Sequence, residues 1–399
     1  MNSKRLFNSK SVIAAVTIIT SLSSASAQVL FSDDFNTNSS SLWKINYAPA
    51  ANANLQSAEF AFDYAYLGIP PAPGSSDTLG LRLRPNISGG AASPNNLRTS
   101  GVTSGLSVSP TNQNFGTSYT LSFYAWANFF GATNGNVGLS DNGNSQGGTA
   151  NVLFAIGTSG TVPLAVGNTT LITDSTMDGV AFATTGDGGI TSDYRAYLKS
   201  GTATITGPVL TAGSAVNTVA YYTNLFPAVS APLEQHALAT NWYATGSFDP
   251  MNGATQPGAF GFAWHKVDIT KNNGFVTWEV DGVLLASSDI STLTLGGNNI
   301  AIGTSDVNAT TARYPDLYFL LIDNLTVSTV PVPQIGSTST SGNTFGFTVS
   351  GVSGQTVVVE TSTNLINWSP VWTNILSGVS TNFTDAQWAN YPARFYRAR

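Results

Sequence analysis

Two carboxylates, Glu279 and Asp281, stand two residues apart in the otherwise apolar stretch "FVTWEVDGVLLAS", residues 275–287. Paired acids are the machinery of glycoside hydrolysis: one protonates the leaving oxygen while the other acts as base or nucleophile, about 5–5.5 Å away in retaining enzymes. The same stretch has a plainer explanation. In a strand, Phe275, Thr277 and Glu279 share one face and Val276, Trp278 and Val280 the other. Asp281-Gly282 is the dipeptide favoured by a two-residue hairpin turn, whose central residues need positive φ. A carboxylate at a turn tip is well hydrated, which suits a general acid poorly. Glu279 and Asp281 are thus weak catalytic candidates, and a hairpin carrying one Glu on its outer face is the expectation.

Sugar recognition has different requirements, namely aromatic rings against the apolar faces of pyranoses and amides or carboxylates for the hydroxyls. His236, Trp242 and Tyr243 lie in a poorly patterned insert, about 215–259, and Tyr124 and Trp126 lie in the strand-like run "SFYAWANFF". These five are the ligand-binding candidates, with Trp242 foremost because irregular inserts on compact folds tend to be functional. The two histidines, His236 and His265, lack the H-E-x-x-H spacing of a zinc helix. No Cys is present to serve as nucleophile. "SDYRAYLKSG", 192–201, puts Arg195, Tyr197 and Lys199 on one strand face, which is either the base and charge neutralisers of a lyase or an ordinary solvated face. Asp187 and Asp193 in "TTGDGGITSD", like Asp141 in "GLSDNGNSQGG", offer oxygen ligands for Ca²⁺ on Gly-rich loops, although the same residues also make plain turns.

Many strands are needed to carry these groups. Charged residues are only 9 % of the chain against 11 % aromatics, a balance poor in helix-forming Glu and Lys. Runs such as "EFAFDYAYL", "SYTLSFYAWANFF", "AFGFAWHKVDIT" and "LYFLLIDNLTVSTV" recur between Gly, Asn, Asp and Pro, the pattern of two packed antiparallel sheets. The Pro-rich stretch "GIPPAPGSSDT", 68–78, reads as a stiff surface excursion. Residues 1–27 read as a signal peptide, with Lys4, Arg5 and Lys10 before the apolar run "SVIAAVTIIT" and an A-x-A site at "ASA". The product is then expected to be secreted or outer-surface, with no transmembrane segment in the mature chain. Without a Cys, its stability must come from a packed core. Its formal charge is −6, and more negative once those three basic residues are removed, so nucleic acid is not an expected partner. Residues 331–343, "PVPQIGSTSTSGN", have linker composition, which separates a domain over 28–330 from a small β-module over 344–399.

"FSDDF", "GFVTWEVDGVLLAS" and "YFLLIDNLTV" together resemble concanavalin A-like (LamG-like) jelly-roll domains across about 28–330. The resemblance implies an all-β concanavalin A-like jelly-roll sandwich, followed by a small C-terminal β-sandwich-like module. It also implies adjacent first and last strands, with Asp34 near Asp323 as a structural Ca²⁺ site. Laminarinase-type relatives on this fold carry E-x-D-x-E or E-x-D-x-x-E, but counting from Glu279 the third acid falls on Val283 or Leu284. "AFDYAYLGIPPAPGSSDTLGLRLRPN" and the tail "VVVETSTNLINWSPVWTN…FYRAR" resemble uncharacterised exported proteins of Verrucomicrobia-like bacteria, whose tail module implies attachment or sorting. The expected function is non-catalytic polysaccharide binding at the cell surface or matrix. A carbohydrate-active enzyme on the same fold, hydrolase or lyase, is the alternative, and a structural envelope protein the third.

Overall fold

A computed structural model describes residues 27–48, 50–85, 87, 104–129, 150–165, 177–188, 193–200, 203–206, 210–211, 216–242, 254–272, 274–306, 315–351 and 355–399. The signal peptide therefore lies, but for Ala27, outside the described residues. Two compact units divide the described chain, one over Val29–Thr329 and one over Val330–Arg399.

The first unit is built almost wholly of antiparallel strands. In chain order these are β1 (Val29–Asp33), β2 (Trp43–Ala48), β3 (Ser57–Asp63), β4 (Leu79–Arg84), β5 (Ser104–Pro110), β6 (Ser118–Asn128), β7 (Ala150–Thr158) and β8 (Val180–Thr185). There follow β9 (Tyr194–Ser200), β10 (Ala203–Thr206), β11 (His265–Asn272), β12 (Phe275–Val280), β13 (Val283–Asp289), β14 (Asn299–Asp306) and β15 (Phe319–Thr329). Two short helices, α1 (Ala220–Leu225) and α2 (Leu233–Trp242), lie in the insert between β10 and β11. An eight-stranded sheet runs β13-β12-β11-β6-β15-β4-β3, with β1 pairing the second half of β15, and a seven-stranded sheet runs β10-β9-β8-β7-β14-β5-β2. The chain passes repeatedly from one sheet to the other and returns its last strand beside its first, so the unit is a jelly-roll sandwich.

Alternation explains how the sheets stack. Leu121, Phe123 and Ala125 of β6, Val267 and Ile269 of β11, and Val276, Trp278 and Val280 of β12 face the other sheet with at most 1 % exposure. Phe154, Phe182, Ile300 and Ile302 meet them, Phe182 stacking on Trp278 at 5.1 Å. Polar residues on the alternate positions are left to the outer face. Among the described residues no helix is long and apolar enough to cross a membrane.

The second unit holds β16 (Gln334–Ser341), β17 (Thr344–Ser350), β18 (Thr356–Ser362), β19 (Ser369–Ile375), β20 (Ser380–Asp385) and β21 (Phe395–Ala398). They form two three-stranded sheets around Phe345, Phe347, Val349, Val357, Val359 and Phe383. The expected linker 331–343 needs correcting here, because Gln334–Ser341 pairs with β17 as an edge strand. Its "STSTS" side chains, 337–341, are all exposed and only Ile335 packs on the core, so the backbone ladder holds most of it and no hydrophobic alternation marks it.

Candidate functional site

The outer face of the eight-stranded sheet carries a row of polar groups fixed by strand register. β11 and β12 pair Asn272 with Phe275 and therefore Asp268 with Glu279. Asp268 pairs in turn with Ser122 of β6, Ser122 with Thr326 of β15, and Thr326 with Ser32 of β1. The row Ser32, Thr326, Ser122, Asp268, Glu279 thus crosses five strands on one face, every member partly or fully exposed. Directly opposed residues have Cβ atoms about 4.5–5.5 Å apart, so Asp268 and Glu279 are cross-strand neighbours. Lys266 Nζ lies 2.9 Å from Asp268 Oδ2. A hydroxyl pair, Thr120 and Thr270 at 2.9 Å, continues the face one step along the strands.

At its other end the same face is walled. The excursion between β3 and β4 folds over it and is held by Asp323, whose register partner on β6 is Tyr124. Asp323 accepts hydrogen bonds from Ser75 Oγ at 2.9 Å, Tyr64 Oη at 3.1 Å and the Asn324 backbone N–H at 2.6 Å. Asn324, at φ 51° in a bulge of β15, donates from Nδ2 to Ser75. Burial pushes the Asp323 carboxyl up to about 6 against these three bonds, which favour its ionised form. Trp264, just before β11, donates from Nε1 to the Pro70 carbonyl at 2.8 Å and packs its ring on Tyr64 and Trp126. Tyr124, partly exposed, sits where wall meets open face, between Asp323 and Lys266 in the register. The arrangement places two partly exposed rings, Tyr124 and Trp264, beside carboxylates and hydroxyls that can accept from and donate to a polyol.

The residues singled out from the sequence fare differently. Glu279 lies on the outer face as its parity requires. Asp281 needs correction as a catalytic candidate. It occupies the turn at φ 52°, followed by Gly282 at 76°, and its carboxylate is turned back onto β11. There Oδ2 lies 2.7 Å from His265 Nδ1 and Oδ1 accepts the Lys266 N–H, and the His265 ring packs on Phe226 and Phe260 within the inter-sheet core. Trp126 is corrected as a ligand-binding candidate: at 4 % exposure it is sealed under the excursion, its Nε1 donating to Asn128. His236 lies partly buried on α2, whose last residue is Trp242, while Tyr243 lies outside the described residues, as does Asp141.

Asp34 Oδ1 accepts the Asn36 N–H on an exposed turn, and the oxygens of Asp323 are taken by N–H and O–H donors. Asp193 accepts from Thr185 and from the Asn217 N–H, and burial, then the nearby Asp193, pushes Asp187 up to about 8. Among the described residues no group of three His, Asp or Glu side chains is placed to hold a metal ion.

Asp268 and Trp264 were not singled out from the sequence. The signal for Asp268 was present in "TKNNGF", because Asn-Gly is the sequence signature of a two-residue hairpin loop, and pairing Asn272 with Phe275 opposes Asp268 to Glu279.

No family model matches the chain, and no curated protein matches it. Solved structures that it resembles include a Bacillus subtilis protein of unknown function with a galectin-like fold, at 8 % identity and TM-score 0.34, covering 76 % of this chain and 96 % of that one. The exoplasmic/lumenal domain of VIP36, in a Ca²⁺- and mannose-bound form, is similar at 10 % identity and TM-score 0.32 over 72 % of this chain and 82 % of that one. A family 16 endo-glucanase from Bacteroides ovatus is similar at 12 % identity and TM-score 0.33, over 75 % of this chain and the whole of that one.

Proposed function

We propose that this chain is an exported, non-catalytic polysaccharide-binding protein of the cell surface or matrix, and that the outer face of its eight-stranded sheet holds the ligand. The observation that carries this reading is the juxtaposition of Tyr124 and Trp264 with Ser122, Asp268 and Glu279 on that face, at the foot of the wall held by Asp323. A glycan chain lying across the strands would stack pyranose faces on the two rings and direct hydroxyls to the row. The unit over 330–399 serves as the attachment or sorting module. Depletion of purified 28–399 from solution by a panel of insoluble and immobilised polysaccharides, with Ca²⁺ and with EDTA, tests it. Selective removal by one glycan supports the proposal, and removal by none under either condition sinks it.

Catalysis is the second reading, favoured by one observation, the direct opposition of Asp268 and Glu279. Opposed residues have Cβ atoms about 4.5–5.5 Å apart, which allows the two carboxyls the separation of about 5 Å that retaining hydrolysis uses. Reducing-end release from the glycan that is bound, abolished in Asp268→Asn, would establish it. Retention of intact glycan by the parent protein selects binding.

A further inference from the structure

The edge of the same sheet opposite β13 carries a groove that the open face does not include. β3 is interrupted by a bulge: its register with β4 shifts between Glu59 and Phe62, and Ala61 takes φ 55°. A groove of about 630 Å³ runs along this edge, within the range of small-ligand sites. Tyr66 on its wall is 47 % exposed and meets Phe62 edge to face at 6.0 Å. The Phe62 ring in turn is covered by the Arg82 guanidinium, 3.6 Å from its centroid, and Arg82 is only 5 % exposed. Glu59 binds both Arg82 and Arg84, and Arg84 reaches Asp316 at 2.6 Å. The two rings are therefore fixed from behind by an ion-paired layer before any ligand arrives, which lowers the ordering cost of binding.

Polar groups converge on the rings. Asp63 lines the groove and uses Oδ1 to accept from the Ala65 N–H and Thr78 Oγ1, and those two bonds hold its carboxyl below the usual range. Asn38 and Ser40 line the facing side. The two arginines are matched by Glu59 and Asp316, so Asp63 leaves the groove with an excess negative charge that disfavours acidic ligands. The bulge also breaks the straight ladder that an added peptide strand would need.

We infer that the β3 edge groove is a second saccharide site, taking a neutral sugar residue whose apolar face lies on Tyr66 and whose hydroxyls reach Asp63, Asn38 and Ser40. Only the choice of ligand class rests on the proposed function; the groove itself stands apart from the Tyr124 face. Two sites on one chain would raise retention on a polymer well beyond either affinity alone.

Calorimetric titration of 28–399 with soluble hexaoses of β-1,4-glucan, β-1,3-glucan, β-1,4-mannan and β-1,4-xylan tests the inference. The parent should bind one of them with two sites per chain. Tyr66→Ala should abolish one site, or weaken it at least tenfold, while Tyr66→Phe keeps both and the melting temperature is unchanged in each. Two undiminished sites in Tyr66→Ala overturn the inference. Binding that Tyr66→Ala abolishes but Tyr124→Ala does not touch supports this groove and overturns the Tyr124 face. Binding abolished by Tyr124→Ala alone does the reverse, and binding of no hexaose by the parent overturns both.

Discussion

Asp323 ties the wall of the candidate site to the sheet at an electrostatic cost, and that cost can be measured. Burial holds its carboxyl near 6 in place of the ordinary value near 4, although Ser75, Asn324 and Tyr64 all donate to it. The fold thus binds this proton more tightly than the unfolded chain does. The stabilisation is fully present below about pH 4 and is lost as pH rises through about 6. A carboxyl titrating near 6 instead of near 4 corresponds to about 3 kcal/mol, which relaxation of the fold around the ionised carboxylate reduces to about 1–2 kcal/mol. Asp323→Asn removes the charge and keeps the shape. Its Oδ1 can still accept the Asn324 N–H, and its amide can donate to the Ser75 and Tyr64 hydroxyls, which accept as readily as they donate. In denaturant unfolding at pH 4, 5, 6 and 7 the variant should equal the parent or fall about 1 kcal/mol below it at pH 4. It should then gain about 1–2 kcal/mol relative to the parent by pH 7. Stability curves that stay parallel across this window would refute the reasoning.

Asp187 should show the same sign over a wider range: with its carboxyl pushed up to about 8, Asp187→Asn gains on the parent between pH 5 and pH 9, as read from unfolding midpoints. Trp126→Ala removes a ring that is 4 % exposed, and calorimetry should register a loss of about 3–5 kcal/mol. Gly282→Ala meets no atom within 4 Å, so its cost should be only the backbone strain of φ 76°, about 1–2 kcal/mol in urea titration.

Much of the fold was legible because its signals are local. The outer and inner parities of 275–280 and the Asp281-Gly282 turn follow from period-two alternation and from the φ that Gly permits, and the unbroken register of β12 with β11 and the positive φ of both turn residues agree with them. The edge strand at 334–341 was not legible, since a strand whose single apolar residue, Ile335, is followed by exposed Gly, Ser and Thr carries no hydrophobic alternation. The site was harder to see than the fold. Trp126 and Trp264 are both aromatic on outward strand positions, and which one a ligand could reach depends on where the 68–78 excursion lands. That landing is decided by Asp323 and Ser75, which are 248 residues apart. Asp281 and Glu279 looked like one pair in sequence, yet the turn rotates one toward His265 and leaves the other facing Asp268.

The central claim is that glycan lies on the Tyr124 face, and the dissociation constant of Tyr124→Ala 28–399 for whichever polysaccharide retains the parent protein tests it most directly. Tyr124 is partly exposed and outward, so its truncation should leave the melting temperature within a few degrees of the parent while weakening binding at least tenfold. Parental affinity in a folded Tyr124→Ala protein would contradict the account and move the ligand off this face.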